Sequence, residues 1–213
     1  VNNRWATSAN FHEFAFGLVY KDGYFYATLS LAMRLMAHEQ QQPDRGRTIK
    51  ISRDGSYEWV NFGLRTPNGI GLGLDSEIFV TDNQGEWIPA NKFIHVKKGE
   101  YHGMRWGLPD SMPETTPVAL PAIWLPENEI ANSPSEPVLI HDGPYKGQML
   151  HGDVTYGGIQ RDFLEKIDGQ YQLRLKKVEL DAFFIAGKKN PITVKAYTSN
   201  NAISSRGVII QVD

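Results

Sequence analysis

Short runs rich in Tyr, Phe, Ile and Val recur along this chain, each closed by Gly, Asp or Asn, and that punctuation restricts it to antiparallel strands joined by tight turns. Residues 14–28 hold two such runs around Lys21-Asp22-Gly23, where glycine supplies the positive φ of a hairpin turn. Residues 48–59 repeat the arrangement around Asp54-Gly55, with Ile49 and Ile51 alternating against polar neighbours. The Phe25-Tyr26-Ala27-Thr28 run returns as Ile78-Phe79-Val80-Thr81, and residues 92–101 echo the second hairpin. A third copy runs through Met149-Leu150-His151-Gly152-Asp153 and residues 163–171. Two hairpins per unit make a four-stranded sheet, and self-similarity at about 45 to 70 residues predicts propeller blades.

The expected architecture is therefore all-β: a β-propeller, partial or fragmentary, with about three recognisable four-stranded blades over residues 1–172 and a C-terminal β segment over 173–213. That segment, with alternating runs at 175–185, 192–197 and 207–212, reads as a closing element or the edge of another β domain. Residues 108–144 carry eight prolines, which cannot donate to a central ladder. They predict a long inter-blade connection with one short strand near Ala122-Ile123-Trp124-Leu125. Residues 33–47, with the polar run His38-Glu39-Gln40-Gln41-Gln42, are the one candidate helix or long loop, and any helix stops before Pro43.

Composition excludes several chemistries. There is no cysteine, so thiol nucleophiles, Cys-based zinc or iron–sulfur sites and covalently attached haem are ruled out within this chain. With 22 basic against 24 acidic residues there is no broad cationic face for nucleic acid. No apolar run is long enough to span a membrane. The six histidines form no H-x-x-x-H pair on a helix, which leaves a zinc hydrolase without support. Gly69, Gly71 and Gly73 have the spacing G-x-G-x-G inside a strand, which predicts close backbone approach rather than a phosphate loop. Asp82, Asp153 and Glu13 offer a carboxylate pair for glycoside hydrolysis only where the fold brings two together; an Asp after a strand more commonly caps a turn. Trp87, Trp106 and Trp124 lie beside loop residues, where indoles stack on sugar rings or pack blade interfaces.

Residues 11–17, Leu64-Arg65-Thr66-Pro67-Asn68-Gly69, residues 80–87 and 120–126, and Gly152-Asp153 with residues 164–172 resemble, in this order, bacterial β-propeller proteins of the membrane-bound or sorbosone-type dehydrogenase group. More distantly the chain is similar to soluble glucose dehydrogenases dependent on pyrroloquinoline quinone. The resemblance implies a periplasmic or extracellular quinoprotein-like oxidoreductase acting on a sugar or polyol, with a separate electron acceptor such as a cytochrome c domain. It implies His12 as the base that takes the hydroxyl proton, a role suited to imidazole because it titrates near neutral pH. It implies Arg65, Asn68 and Trp87 as cofactor contacts, Arg65 forking onto a quinone carboxylate. A Ca²⁺ site falls on Gly85, Glu86 and Asn91, where Asn91 stands near the family's Asp, and Thr66 replaces the Asn of the family's cofactor turn. Retained His12 and Arg65 favour the enzyme. The substituted carboxylate favours the rival reading, a non-catalytic carbohydrate-binding or scaffold propeller.

Overall fold

The computed structural model describes residues 4–177 apart from 86–87, 108–111, 114, 128–131 and 156–157. It contains three antiparallel four-stranded sheets. The first is the meander β1 (Ala15–Lys21), β2 (Tyr24–Leu29), β3 (Arg47–Ile51) and β4 (Tyr57–Phe62). The second is β5 (Ile70–Leu72), β6 (Ile78–Asp82), β7 (Ala90–His95) and β8 (Ile123–Pro126). The third is β9 (Val138–Leu139), β10 (Met149–Gly152), β11 (Ile159–Ile167) and β12 (Gln170–Lys177). β5 lies against β1 on one side and β9 on the other, so the first strands of the sheets adjoin and the sheets fan out from them as propeller blades do.

Local chemistry sets the strand ends. Asp22 and Gly23 both take positive φ, 50° and 86°, as do Asp168 and Gly169 at 49° and 77°. These are the paired left-handed residues of two-residue hairpin loops, whose twist matches that of the flanking strands. Where the first strands meet, glycine is a steric requirement. A Cβ at Gly71 would lie 1.9 Å from the Pro137 carbonyl oxygen, and one at Gly69 would lie 2.2 Å from Glu136 Cα. The close-approach reading of these glycines therefore holds, with the backbone leading into β9 as the neighbour.

Alternation along the middle sheet builds two seams. Phe79 and Phe93 join Leu125, Met149, Leu164, Tyr171 and Leu173 between the second and third sheets. Val80 and Ile94, their immediate neighbours in sequence, join Val19, Leu64, Ile70, Ile78 and Val96 between the first and second. Successive side chains on a strand point to opposite faces, so one strand serves both seams.

The blades are also latched by matching hydroxyls. Thr28 Oγ1 donates to Pro67 O at 2.8 Å, in the segment leading into β5. Thr81 Oγ1 donates to Ser135 O at 3.0 Å, in the segment leading into β9. These threonines are the repeat partners that the sequence pairs.

Two expectations change. After β7 the turn at Lys97-Lys98-Gly99 makes no hairpin; the chain crosses to the first sheet, where Tyr101 forms a parallel bridge with Phe62 and stacks on its ring. The place beside β7 belongs to β8, so the proline-rich segment supplies both β8 and the unforeseen β9, strands of two different sheets. Trp124 is within β8, the short strand expected near 122–125. Of the two forms expected for residues 33–47, the structure has the long loop, which runs until β3 begins at Arg47. β12 continues through the 172/173 boundary to Lys177, and the runs expected at 192–197 and 207–212 lie outside the described residues.

Candidate functional site

One end of the first sheet meets one end of the second as a rim, through Arg65 N and Thr66 N on Asp82. Ala15 pairs with Leu29, Leu29 with Arg47, and Arg47 with Phe62. The segments that leave or enter at that end are 10–14, 30–46 and 63–69, followed by 83–85 and 88–89 in the second sheet. His12, Arg65, Asn68 and Gly85 lie on these segments, and Asn91 is the second residue of β7. Glu86 and Trp87 lie outside the described residues. A shallow depression lined by Asp22, Tyr24, Ser52, Arg53 and Asp54 belongs to the opposite rim, among the tight turns.

His12 is half-buried, with the edges of Phe11 and Phe14 at 5.8 and 5.4 Å between ring centroids. Its Nδ1 lies 2.9 Å from Leu31 O. A carbonyl only accepts, so Nδ1 carries the hydrogen and the neutral ring presents its lone pair at Nε2. The Leu31 N–H donates to Arg65 O at 2.9 Å. One residue therefore joins His12 and Arg65 across the first sheet's rim. Among the described residues the half-buried Arg65 guanidinium has no ion-pair or hydrogen-bond partner. The hydroxyl of Thr66 beside it is buried and likewise unpaired.

The backbone of this turn hangs on Asp82. Its carboxylate accepts from Thr66 N at 2.9 Å and Arg65 N at 3.1 Å, and pairs with Lys92 Nζ at 3.0 Å. Lys92 also donates to His102 O at 3.1 Å. Both charged side chains are buried, where an ion pair persists only with this kind of complete satisfaction. Asp153, at the corresponding strand end of the third sheet, caps its own loop by accepting from Thr155 N at 2.9 Å and ties it to the segment before β9 by accepting from Asn132 N at 3.2 Å. Asp82 and Asp153 thus act as turn caps. Lys92 belongs to no motif in the sequence, although a lysine at the centre of a strand with buried neighbours is itself a sign of a buried counter-charge.

The expected calcium set fits poorly at the described side chains. Asn91 accepts from Gln84 N at 3.1 Å through Oδ1 and donates to Leu125 O at 3.3 Å through Nδ2. A Cβ placed on Gly85 would lie 3.6 Å from the Lys92 ammonium, a fixed positive charge that repels a divalent ion. Asp82 is occupied by that ammonium and two N–H groups. Among the described residues no three His, Asp or Glu side chains gather as a metal site. For the quinone expectation, an arginine without a partner among the described residues and the orphaned buried Thr66 hydroxyl suit an anion bearing carbonyl and carboxylate oxygens.

No family model matches this chain, and no curated protein matches it. Solved structures do. The apo-form soluble aldose sugar dehydrogenase of Escherichia coli superposes with a TM-score of 0.55 at 10% identity, covering 76% of this chain and 52% of that one. The putative oxidoreductase (glucose dehydrogenase) of Thermus thermophilus gives 0.53 at 14% identity, over 74% of this chain and 49% of that one. The aldose sugar dehydrogenase of Streptomyces coelicolor in its PQQ-bound form gives 0.50 at 14% identity, over 71% and 45%. These likenesses establish the fold, that of β-propeller dehydrogenases, and this chain spans about half the length of each.

Proposed function

We propose that this chain carries part of the working rim of a quinoprotein-type oxidoreductase that oxidises a sugar or polyol. The observation that supports it best is the joining, through Leu31, of a ring whose lone pair is at Nε2 to an arginine with no side-chain partner among the described residues. When bound, pyrroloquinoline quinone supplies a two-electron acceptor for the hydride of an oxidised carbinol carbon. His12 Nε2 takes the hydroxyl proton of that carbinol. Arg65 holds a carboxylate by charge-assisted hydrogen bonds, and the Thr66 hydroxyl offers a further donor. Phe11 and Phe14 give a sugar ring apolar edges to lie against. Calcium stays outside the proposal because Lys92 already supplies the fixed positive charge beside Gly85. A periplasmic or extracellular location and a separate electron acceptor such as a cytochrome c domain belong to the same reading.

The test adds pyrroloquinoline quinone to the protein and follows the quinone absorption band together with dye reduction over an aldose and polyol panel. His12→Ala should lower turnover by roughly 10²- to 10⁴-fold while quinone binding holds. Arg65→Ala should instead weaken quinone binding by roughly 10- to 100-fold, the value of a charge-assisted hydrogen bond. An unshifted band and absent turnover, with sugar binding retained, would favour the non-catalytic carbohydrate-binding propeller.

A further inference from the structure

The loop that follows β2 meets His12 through a single peptide plane. A trans peptide directs its C=O and N–H to opposite sides. In the Leu31–Ala32 peptide the carbonyl faces His12 Nδ1 at 2.9 Å, while the Ala32 N–H donates to Gln41 Oε1 at 3.1 Å. Gln41 Nε2 donates back to Ala32 O at 2.7 Å. Its carboxamide therefore clasps both main-chain groups of Ala32 as a neighbouring strand would.

Asn10 clasps the next residue in the same way. Its Oδ1 accepts from Met33 N at 3.2 Å and its Nδ2 donates to Met33 O at 2.9 Å. The same Oδ1 accepts from the backbone N–H of His12 at 3.0 Å, which ties the imidazole's own main chain to the loop that orients it. Phe11 and Phe14 flank the ring, and among the described residues Leu31 O is its one hydrogen-bond partner.

We propose that Gln41, assisted by Asn10, is a positioning residue that sets the His12 tautomer by locking the Leu31–Ala32 peptide plane. Turned over, that peptide would aim its N–H at Nδ1; the ring would then hold its hydrogen at Nε2 and present no lone pair there. The inference rests on the reading of His12 as proton acceptor for its importance, but the tautomer itself is measurable without turnover.

Two-bond nitrogen–proton NMR on the intact protein, at a pH where the ring is neutral, reads the tautomer directly. The wild type should carry hydrogen on Nδ1. Gln41→Ala should lower the ratio of Nδ1–H to Nε2–H by roughly 2- to 10-fold, the size of one net hydrogen bond. Gln41→Glu keeps an acceptor for the Ala32 N–H but sets an oxygen against Ala32 O, and should lower the ratio no more than Gln41→Ala does. An Nε2–H ring in the wild type, or a folded Gln41→Ala protein with the wild-type ratio, overturns the proposal. Should Gln41→Ala not fold, Asn10→Ala carries the same expectation. Dye reduction in the same samples is a separate reading: an Nδ1–H ring without turnover in the wild type would retire His12 as base and leave the tautomer control standing.

Discussion

The two seams of this molecule are closed by different chemistry. Between the first and second sheets the filling is aliphatic, and a strap made by Tyr101 to Met104 seals its edge, with His102 N donating to Phe62 O at 3.0 Å and Met104 N to Gly63 O at 2.9 Å. Its buried polar device is a full ion pair, Asp82 with Lys92, which also holds the Arg65–Thr66 turn. Between the second and third sheets the filling is aromatic, with Phe79 edge-on to Phe93 and Tyr171. Its polar device is His151 Nδ1 against Asp162 at 2.6 Å, entirely buried, with the imidazole packed on Phe93. The first device supports a rim loop that carries candidate chemistry. The second joins two adjacent strands of one sheet, β10 and β11, and supports only the blade.

The sharpest way to break the contrast is Lys92→Met. It leaves Asp82 buried with no counter-charge and should cost about 3–5 kcal/mol in urea unfolding. Lys92→Met with Asp82→Asn should recover much of this, because the amide oxygen still accepts from the Arg65–Thr66 turn. A single variant as stable as the wild type would remove the ion pair from the account.

Acid should weaken the first seam next. Burial, and then the nearby Lys92 ammonium, push His102 down to about 3. An unfolded histidine takes up its proton near pH 6.5, so between pH 6.5 and 3 the unfolded state binds more protons than the folded one. The contribution of neutral His102 is complete above pH 6.5 and declines by about 1.4 kcal/mol per pH unit on acidification, or about 2 kcal/mol by pH 5. His102→Gln should flatten that limb, and an unchanged acid profile in the variant would refute the assignment.

The smallest effect belongs to the second seam. Asp162→Asn still accepts from His151 Nδ1–H but loses the charge assistance, for about 1 kcal/mol in thermal or urea unfolding. A loss as large as that of Lys92→Met would show that the two devices are equivalent after all.

Much of the fold was legible because its signals are local. Asp-Gly turns, alternating runs and the Thr28 and Thr81 repeat each depend on a few neighbouring residues, and the structure places them as hairpins and latches. What was not legible depends on distant partners. Nothing near Val138-Leu139 distinguishes a strand from a proline-rich connection; it pairs because β10 lies alongside. Tyr101 reads as the continuation of a hairpin until Phe62 is placed beside it. Asn91 looks like a weakened metal ligand in sequence, and only the fold shows its amide bridging Gln84 and Leu125. Gln41, within a polar run, gives no hint of Ala32 as its partner.

The middle sheet's division of labour sets how such a chain can change over time. Phe79 and Val80, like Phe93 and Ile94, face different neighbours, so deleting one residue inside β6 or β7 would turn each side chain toward the wrong blade and spoil both seams together. Gains and losses of length are thereby confined to the excursions between strands, such as the stretch from Gly99 to β8. Sequences built this way can drift far in composition while their strands keep the same count and frame.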